Sequence, residues 1–389
     1  MDAKQFHIDI PESSLIDLHD RLKHTRWPDE LNNSDWEYGT NLGYLKELTQ
    51  FWQHNYDWRS NERKLNEWPH FKVTIDDQEI HFIHIKSSVP DALPIILTHG
   101  WPDSFLRFEK LIPMLTEPEA FGGDASDAFN VVIPSLPGFA FSEAPDSAGS
   151  LFNIHNLWAK LMTDILGYDK FAAHGGDWGS IITEHMARSH SRHVVAIHLT
   201  DVPFLHNFQK PDDLSEAEKK FMEESEQYQM KENAYAMIQG TRPNTLGAGL
   251  NDSPVGLAAW ILEKFYSWSD CDDDVETRFT KDQLLTNISL YWHTQTVPSS
   301  FTPYYDTLHA SAFTWIGEKI KEWTGTSSVP AGFAISAKEN SHPPREWAAR
   351  FFNVQRWTTL SHGGHFAALE EPKVLANELI EFFKAFRKI

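Results

Sequence analysis

Cysteine is almost missing from this chain: one residue, Cys271, stands among 389. An internal disulfide is excluded, and Asp270, Asp272, Asp273 and Asp274 surround that thiol with a negative field that disfavours a thiolate nucleophile. Basic charge is also scarce. The 34 Lys and Arg residues face 55 Asp and Glu, a formal net charge of −21 that argues against nucleic-acid or anionic-membrane partners and favours solubility. No run approaches the roughly 18 consecutive apolar residues that span a bilayer. The segment Met1–Ile8 lacks the apolar region of a signal peptide, so a cytoplasmic protein is expected. Internal repeats, low-complexity tracts and long linkers are lacking as well.

What is present is apolar and aromatic. Apolar residues make up 41% of the chain, enough for a sizeable core, and 15 Trp with 26 Phe suit a broad aromatic interior. Residues 1–70 read as amphipathic helices. Leu15, Leu18 and Leu22 follow helical spacing behind a cap at Ser13 or Ser14, and Leu45, Leu48, Phe51, Trp52 and Tyr56 repeat the pattern. Pro28 predicts a break at Thr25–Asp29. From residue 71 short strands take over: a hairpin, Phe71–Ile75 and Ile80–Ile85 around Asp76-Asp77, then Pro94–Thr98, Asn130–Pro134, Lys170–His174 and Val194–Leu199. Gly332–Ser336 and Val354–Thr358 resume the series before a closing helix. Apolar strands alternating with helix-length segments predict an α/β fold with a mostly parallel sheet. The expected organisation is an N-terminal meander (1–70), a core (71–202 and 326–389) and an inserted helical cap (203–325) over the carboxyl edge of the sheet.

The candidate chemistry centres on Gly175-Gly176-Asp177-Trp178-Gly179-Ser180. It has the form of a strand-to-helix nucleophile elbow, with aspartate where a serine hydrolase has serine. A carboxylate there suits attack on an sp³ carbon, leaving an ester that water cleaves at the carbonyl. Four other features are collinear with it. His99-Gly100-Trp101-Pro102 follows a strand where an oxyanion-hole amide is expected, so the two donors would be the backbone amides of Trp101 and Trp178. Ser361-His362-Gly363-Gly364-His365 follows the last strand and offers His365 as base, with His362 as a loop residue. Glu339 follows the penultimate strand as the orienting acid, and Asp201 is the alternative. Finally, displacing oxygen from an sp³ carbon leaves an alkoxide unless a group donates a proton to it, and a phenol, neutral at pH 7, can do so. Tyr228, Tyr235, Tyr266, Tyr291, Tyr304 and Tyr305 are candidates that spacing alone does not separate. The His362/His365 pair lacks the further ligands of a zinc site. Asp270, Asp272 and Asp274 mimic a calcium loop, but Val275 replaces its glycine and Lys281 its bidentate glutamate.

Taken together, these motifs resemble the microsomal-type epoxide hydrolase family over nearly the whole chain. The resemblance runs from Thr25-Arg26-Trp27-Pro28-Asp29 and Tyr56-Asp57-Trp58-Arg59 through His99-Gly100-Trp101-Pro102 and Pro134-Ser135-Leu136-Pro137-Gly138-Phe139. It continues in the Asp177 elbow, in Asp252-Ser253-Pro254-Val255-Gly256-Leu257, and in Gly363-Gly364-His365-Phe366. It implies an α/β-hydrolase core with a helical cap, no metal or organic cofactor, and a role in detoxification or aromatic hydrocarbon catabolism. Position by position it implies Asp177 as nucleophile, His365 as base, Glu339 as acid, and Tyr235 and Tyr304 as the phenols. The anchoring segment of animal members is not seen, so the resemblance is to soluble microbial ones. Asp103 departs from the glycine usual after His-Gly-Trp-Pro.

The expected reaction converts a small apolar epoxide to a vicinal diol through an Asp177 ester, in a protein expected as a homodimer. Two rivals share the residues: a haloalkane dehalogenase with the same nucleophile, and a non-catalytic ligand-binding protein of the same fold. The paired phenols favour the epoxide over a halide, which prefers N–H donors.

Overall fold

Two aspartates with positive φ, Asp76 at 50° and Asp77 at 65°, turn the chain between β2 (His70–Ile75) and β3 (Gln78–Ile85). A two-residue hairpin needs such a left-handed pair, and aspartate tolerates it. In the computed structural model, which describes residues 2–29, 35–146, 149–209, 211–309 and 325–387, this hairpin supplies the second and third strands from one edge of a single sheet. The order is β1-β2-β3-β5-β4-β6-β7-β8-β9. The remaining strands are β1 (Lys4–Phe6), β4 (Leu93–Thr98), β5 (Phe129–Pro134), β6 (Phe171–Gly175), β7 (Val194–Leu199), β8 (Pro330–Ile335) and β9 (Asn353–Thr359). Pairing is antiparallel from β1 to β5 through β2 and β3, and parallel across β5-β4-β6-β7-β8-β9.

The expected parallel strands are all found, with ends moved by no more than two residues. Their continuous apolar character has a structural cause, because both faces of the sheet are covered. Ile96, Ala173 and Ile197 belong to the core on one face, and Ile95, Leu97, Ala172 and Ala196 to the core on the other. β1 was not expected. Its three residues carry no apolar alternation, and it is defined by backbone pairing alone, with Lys4 opposite Lys72.

The N-terminal helices Glu12–Lys23 and Leu42–His54 form as expected, and Thr25–Asp29 is non-helical between them. The proposed serine cap is wrong. The first helix begins at Glu12 behind Pro11, and Ser14 Oγ instead bonds His293 Nδ1 at 2.8 Å. A further helix, Trp58–Leu65, is capped by Asp57, whose carboxylate accepts from the Ser60 amide. This N-terminal region is fastened to the helix Lys281–Thr294: Trp52 Nε1 donates to Ser289 Oγ at 3.1 Å, and Tyr56 Oη lies 3.1 Å from Thr286 Oγ1. Arg21 Nη1 donates to Asp252 Oδ1 at 2.7 Å, next to Ser253, which caps the helix Pro254–Ser267.

The described residues between 203 and 309 form helices joined by loops, without a strand, and residues 210 and 310–324 of the segment expected as a cap lie outside the described residues. No helix among the described residues is long and apolar enough to cross a membrane. The loops at the carboxyl ends of β4, β6, β7, β8 and β9 converge, because the chain leaves β4 toward β5 on one side and reaches β6 on the other.

That convergence demands close backbone approach. A Cβ added to Gly179, in the first turn of the helix Trp178–Ser189, would stand 2.0 Å from the Thr98 carbonyl oxygen. Gly179→Ala should therefore cost about 3 kcal/mol, the upper end of overpacking penalties. The check is urea unfolding, where the midpoint falls while the slope stays constant.

Candidate active site

β6 ends at Gly175, and two residues later Asp177 adopts φ 58° and ψ −128°, a conformation an aspartate holds only where its surroundings impose it. The surroundings are identifiable. Asp201, just after β7, accepts from the Asp177 amide at 2.9 Å and from Ser180 Oγ at 2.7 Å, so one carboxylate holds both sides of the turn. The Asp177 side chain is thereby lifted to Trp101, whose amide donates to Asp177 Oδ1 at 2.9 Å. A Cβ on Gly100 would lie 2.0 Å from that oxygen, which is why glycine follows His99. His99 itself is a brace. Its Nδ1 bonds the Gly100 carbonyl at 2.9 Å, and its Nε2 accepts from the Leu136 amide at 3.2 Å.

Burial alone would raise the Asp177 carboxyl, but His365 and the amides of Trp101 and Trp178 outweigh it and hold the group below the usual aspartate value. The carboxylate is ionised, yet 18% of the side chain stays exposed, so a reactant can reach it. His365 follows β9 with Nε2 at 3.6 Å from Asp177 Oδ2, and its Nδ1 donates to Glu339 Oε1 at 2.8 Å. Glu339 Oε1 also accepts from the Asn340 amide at 2.9 Å. Burial by itself lowers the imidazole, but the Glu339 charge, the adjacent Asp177 carboxylate and the hydrogen bond to Glu339 raise it to about 10. Asp201, the alternative acid, is occupied with the elbow; burial and then the Glu339 charge push it up to about 7. His362 is exposed on the loop.

Of the six tyrosines, Tyr228, Tyr235 and Tyr304 line a cavity of about 200 Å³ that opens onto Asp177 and His365. Tyr235 stacks on Trp101 with centroids 5.4 Å apart, and Tyr304 meets Trp178 edge-on at 4.8 Å. The two phenol rings meet edge-on at 5.7 Å. Burial raises both phenols above their ordinary value, helped by the nearby Asp177 charge, so both remain protonated at neutral pH. The others are engaged elsewhere. Tyr305 stacks on His309, Tyr266 lies flat on Trp36, and Tyr291 Oη donates to the Asp103 carbonyl at 2.7 Å. Val202, Phe204, Phe208 and Met237 add apolar surface to a lining that also carries Asn207, Gln229 and Asn233. Among the described residues no group of three or more His, Cys, Asp or Glu side chains is arranged to hold a metal ion. Asp270, from the calcium-like run, instead accepts from Arg278 Nη2 at 2.9 Å and from the Gly363 amide at 3.0 Å.

Three features escaped the sequence reading. Glu370 holds the histidine loop, accepting from the amides of Gly364 and Phe366, each at 3.0 Å, and from the Asp270 amide at 2.8 Å. The Trp268 carbonyl accepts from the His365 amide at 2.7 Å. Arg107 neutralises Asp103: its Nε donates to Asp103 Oδ2, with the two side chains 3% and 1% exposed. Their spacing of four residues was the available signal.

A carboxylate on the elbow of a mostly parallel, helix-covered sheet defines the class, an α/β hydrolase built around aspartate rather than serine. Residues 3–108 match the family described as epoxide hydrolase N terminus, and residues 94–236 match the alpha/beta hydrolase fold. The chain is 40% identical to a Stigmatella aurantiaca protein that carries an epoxide hydrolase designation, over 98% of this chain and 85% of that one. It is 36% identical to epoxide hydrolase 1 of Oryctolagus cuniculus, over 97% and 88%. The solved structure of juvenile hormone epoxide hydrolase from Bombyx mori superposes with a TM-score of 0.85 at 29% identity, covering 100% of this chain and 95% of that one. The Aspergillus niger epoxide hydrolase gives 0.84 at 29%, covering 99% and 97%. This chain belongs to the epoxide hydrolase family.

The buried ion pair generates a stability prediction. Arg107→Met leaves Asp103 charged and unpaired and should cost about 3–5 kcal/mol, whereas adding Asp103→Ala should recover most of it. Urea unfolding of the single and double variants measures the difference.

Proposed function

We propose that this chain hydrolyses epoxides to vicinal diols in two steps, through a covalent ester on Asp177. The observation that carries the reading is the ionised Asp177 carboxylate, bonded to the Trp101 amide at 2.9 Å and facing His365 and two protonated phenols across one cavity. In the first step Asp177 attacks an epoxide carbon. The carbon–oxygen bond of the ring breaks, and Tyr235 and Tyr304 donate to the departing oxygen, which would otherwise leave as an alkoxide. In the second step His365 takes a proton from water, which adds to the Asp177 carbonyl. Glu339 orients the imidazole and stabilises its cation. The amides of Trp101 and Trp178 receive the negative charge that forms on oxygen, each contributing about 3 kcal/mol. The bond between the Asp177 carbonyl carbon and the alcohol oxygen then breaks, and His365 returns its proton to that oxygen. The proton of the newly formed Asp177 acid goes back to the phenol that donated in the first step, and the diol leaves with the carboxylate restored.

The high proton affinity of resting His365 is consistent with this order. Two carboxylates hold its proton, and esterification discharges one of them. In the ester state only Glu339 still holds the proton, so the imidazole becomes a base at lower pH. The apolar side chains Val202, Phe204, Phe208 and Met237 in the cavity lining support a small apolar epoxide as substrate. The phenols favour an epoxide over a haloalkane, since halide release prefers N–H donors. A cytoplasmic enzyme of detoxification or aromatic hydrocarbon catabolism, assembled as a homodimer, completes the reading. Residues 1–70 serve as its meander and 203–325 as its cap over the core of 71–202 and 326–389.

Styrene oxide and a bromoalkane, assayed in parallel for diol and bromide, test the reaction class. Diol without bromide is expected, and bromide without diol overturns the reading. Asp177→Ala should remove turnover, and single turnover in heavy-oxygen water should label the Asp177 carboxylate; an unlabelled carboxylate would exclude the ester. Ester hydrolysis followed by rapid quench should rise with pH to a plateau, because the neutral imidazole is the active form. Its apparent pKa should lie below the resting value of about 10. A limb at or above that value would show that the base does not respond to esterification.

A further inference from the structure

We propose that Asp103 and Arg107 form a positioning pair that sets the Trp101 amide against the elbow and so serves hydrolysis of the Asp177 ester rather than its formation. The inference rests on the two-step reading above.

The loop carrying Trp101 lies outside any strand or helix, so its amide must be aimed by other contacts. Asp103 supplies them from within the loop. Its Oδ1 accepts from the Gly100 amide at 3.2 Å, and its Oδ2 accepts from Arg107 Nε. The far side of the guanidinium reaches the elbow: Arg107 Nη1 lies 2.8 Å from where a Cβ on Gly176 would stand, immediately before Asp177. One rigid, planar, buried group is thus bonded to the loop bearing Trp101 and packed against the turn bearing Asp177 and Trp178. The outer side of the loop is held by neutral bonds, from Asn287 Nδ2 to the Pro102 carbonyl at 2.8 Å and from Tyr291 Oη to the Asp103 carbonyl at 2.7 Å.

The two half-reactions use the Trp101 amide with opposite sign. In the resting enzyme it stabilises the Asp177 carboxylate, and ester formation discharges that oxygen, so a well-aimed donor opposes the first step. Attack of water returns negative charge to oxygen, so the same donor favours the second. Loosening the loop should leave ester formation unchanged or faster while slowing ester hydrolysis. A purely structural contribution would slow both steps together.

The test is rapid-quench single turnover with styrene oxide, with the Asp177 ester measured by mass spectrometry. The double variant Asp103→Ala/Arg107→Met removes both charges and leaves no lone buried ion. Its ester should form within about threefold of the wild-type rate and persist at least about tenfold longer, on the scale expected for a misplaced catalytic group. Arg107→Lys keeps the charge but not the planar bridge, and should lengthen the ester lifetime to a smaller extent; it carries the comparison if the double variant does not fold. Equal lifetimes in wild type and variants, or equal slowing of both steps, would overturn the pairing. Absence of any ester in the wild type would instead overturn the two-step reading, and the pairing with it.

Discussion

The site depends on two backbones approaching more closely than side chains allow. The segments Thr98–Gly100 and Gly175–Gly179 meet where added Cβ atoms would lie within about 2 Å of neighbouring atoms: Gly179 against Thr98, Gly175 against Gly179, and Gly100 against Asp177. Only glycine satisfies these positions. This contact brings an amide from one loop to a carboxylate on another, and the strained backbone of Asp177 is its local cost. The carboxylate of Asp201 holds that strain in place, which explains a buried acid whose hydrogen bonds go to the elbow rather than to the histidine.

Electrostatics follows from the same crowding. Asp177, Asp201 and Glu339 are gathered near His365 and Arg107, and burial penalises each of these charges. The arrangement separates their states. Asp177 and Glu339 stay ionised because each faces His365, whereas Asp201 has amide and hydroxyl donors and is pushed up to about 7. Arg107 gives Asp103 a permanent counter-charge, so the departure from glycine at that position adds an ion pair rather than an isolated negative field.

Much of this was legible in the amino-acid order. The parallel strands were readable because both faces are buried, and the hairpin because Asp76-Asp77 suits a left-handed turn. Elbow, acid and histidine follow strands in chain order, so their positions could be counted. What was not legible depends on contacts between distant segments. Tyr304 and Tyr305 are adjacent, and only the tertiary direction of their helix turns Tyr304 toward Trp178 and Tyr305 toward His309. β1 has no pattern of its own and exists through pairing with β2. Ser13 and Ser14 looked like caps, but Pro11 starts the helix earlier, and Ser14 finds a partner far along the chain in His293.

The histidine loop is sewn to the helical segment above it. His365 and Gly363 donate their amides to Trp268 and Asp270, Glu370 binds both Gly364 and Asp270, and a Cβ on Gly364 would collide with the Trp268 carbonyl. Ligand traffic is constrained by this. Lifting the helices off the sheet as a hinged lid would pull the imidazole away from Asp177, so the cavity cannot open that way without dismantling the pair. Phe204, Phe208 and Met237 line the cavity and are partly solvent-exposed, so rotation of these side chains can change its width without moving the histidine loop. The width of the cavity is thereby uncoupled from the geometry of Asp177 and His365 beneath it.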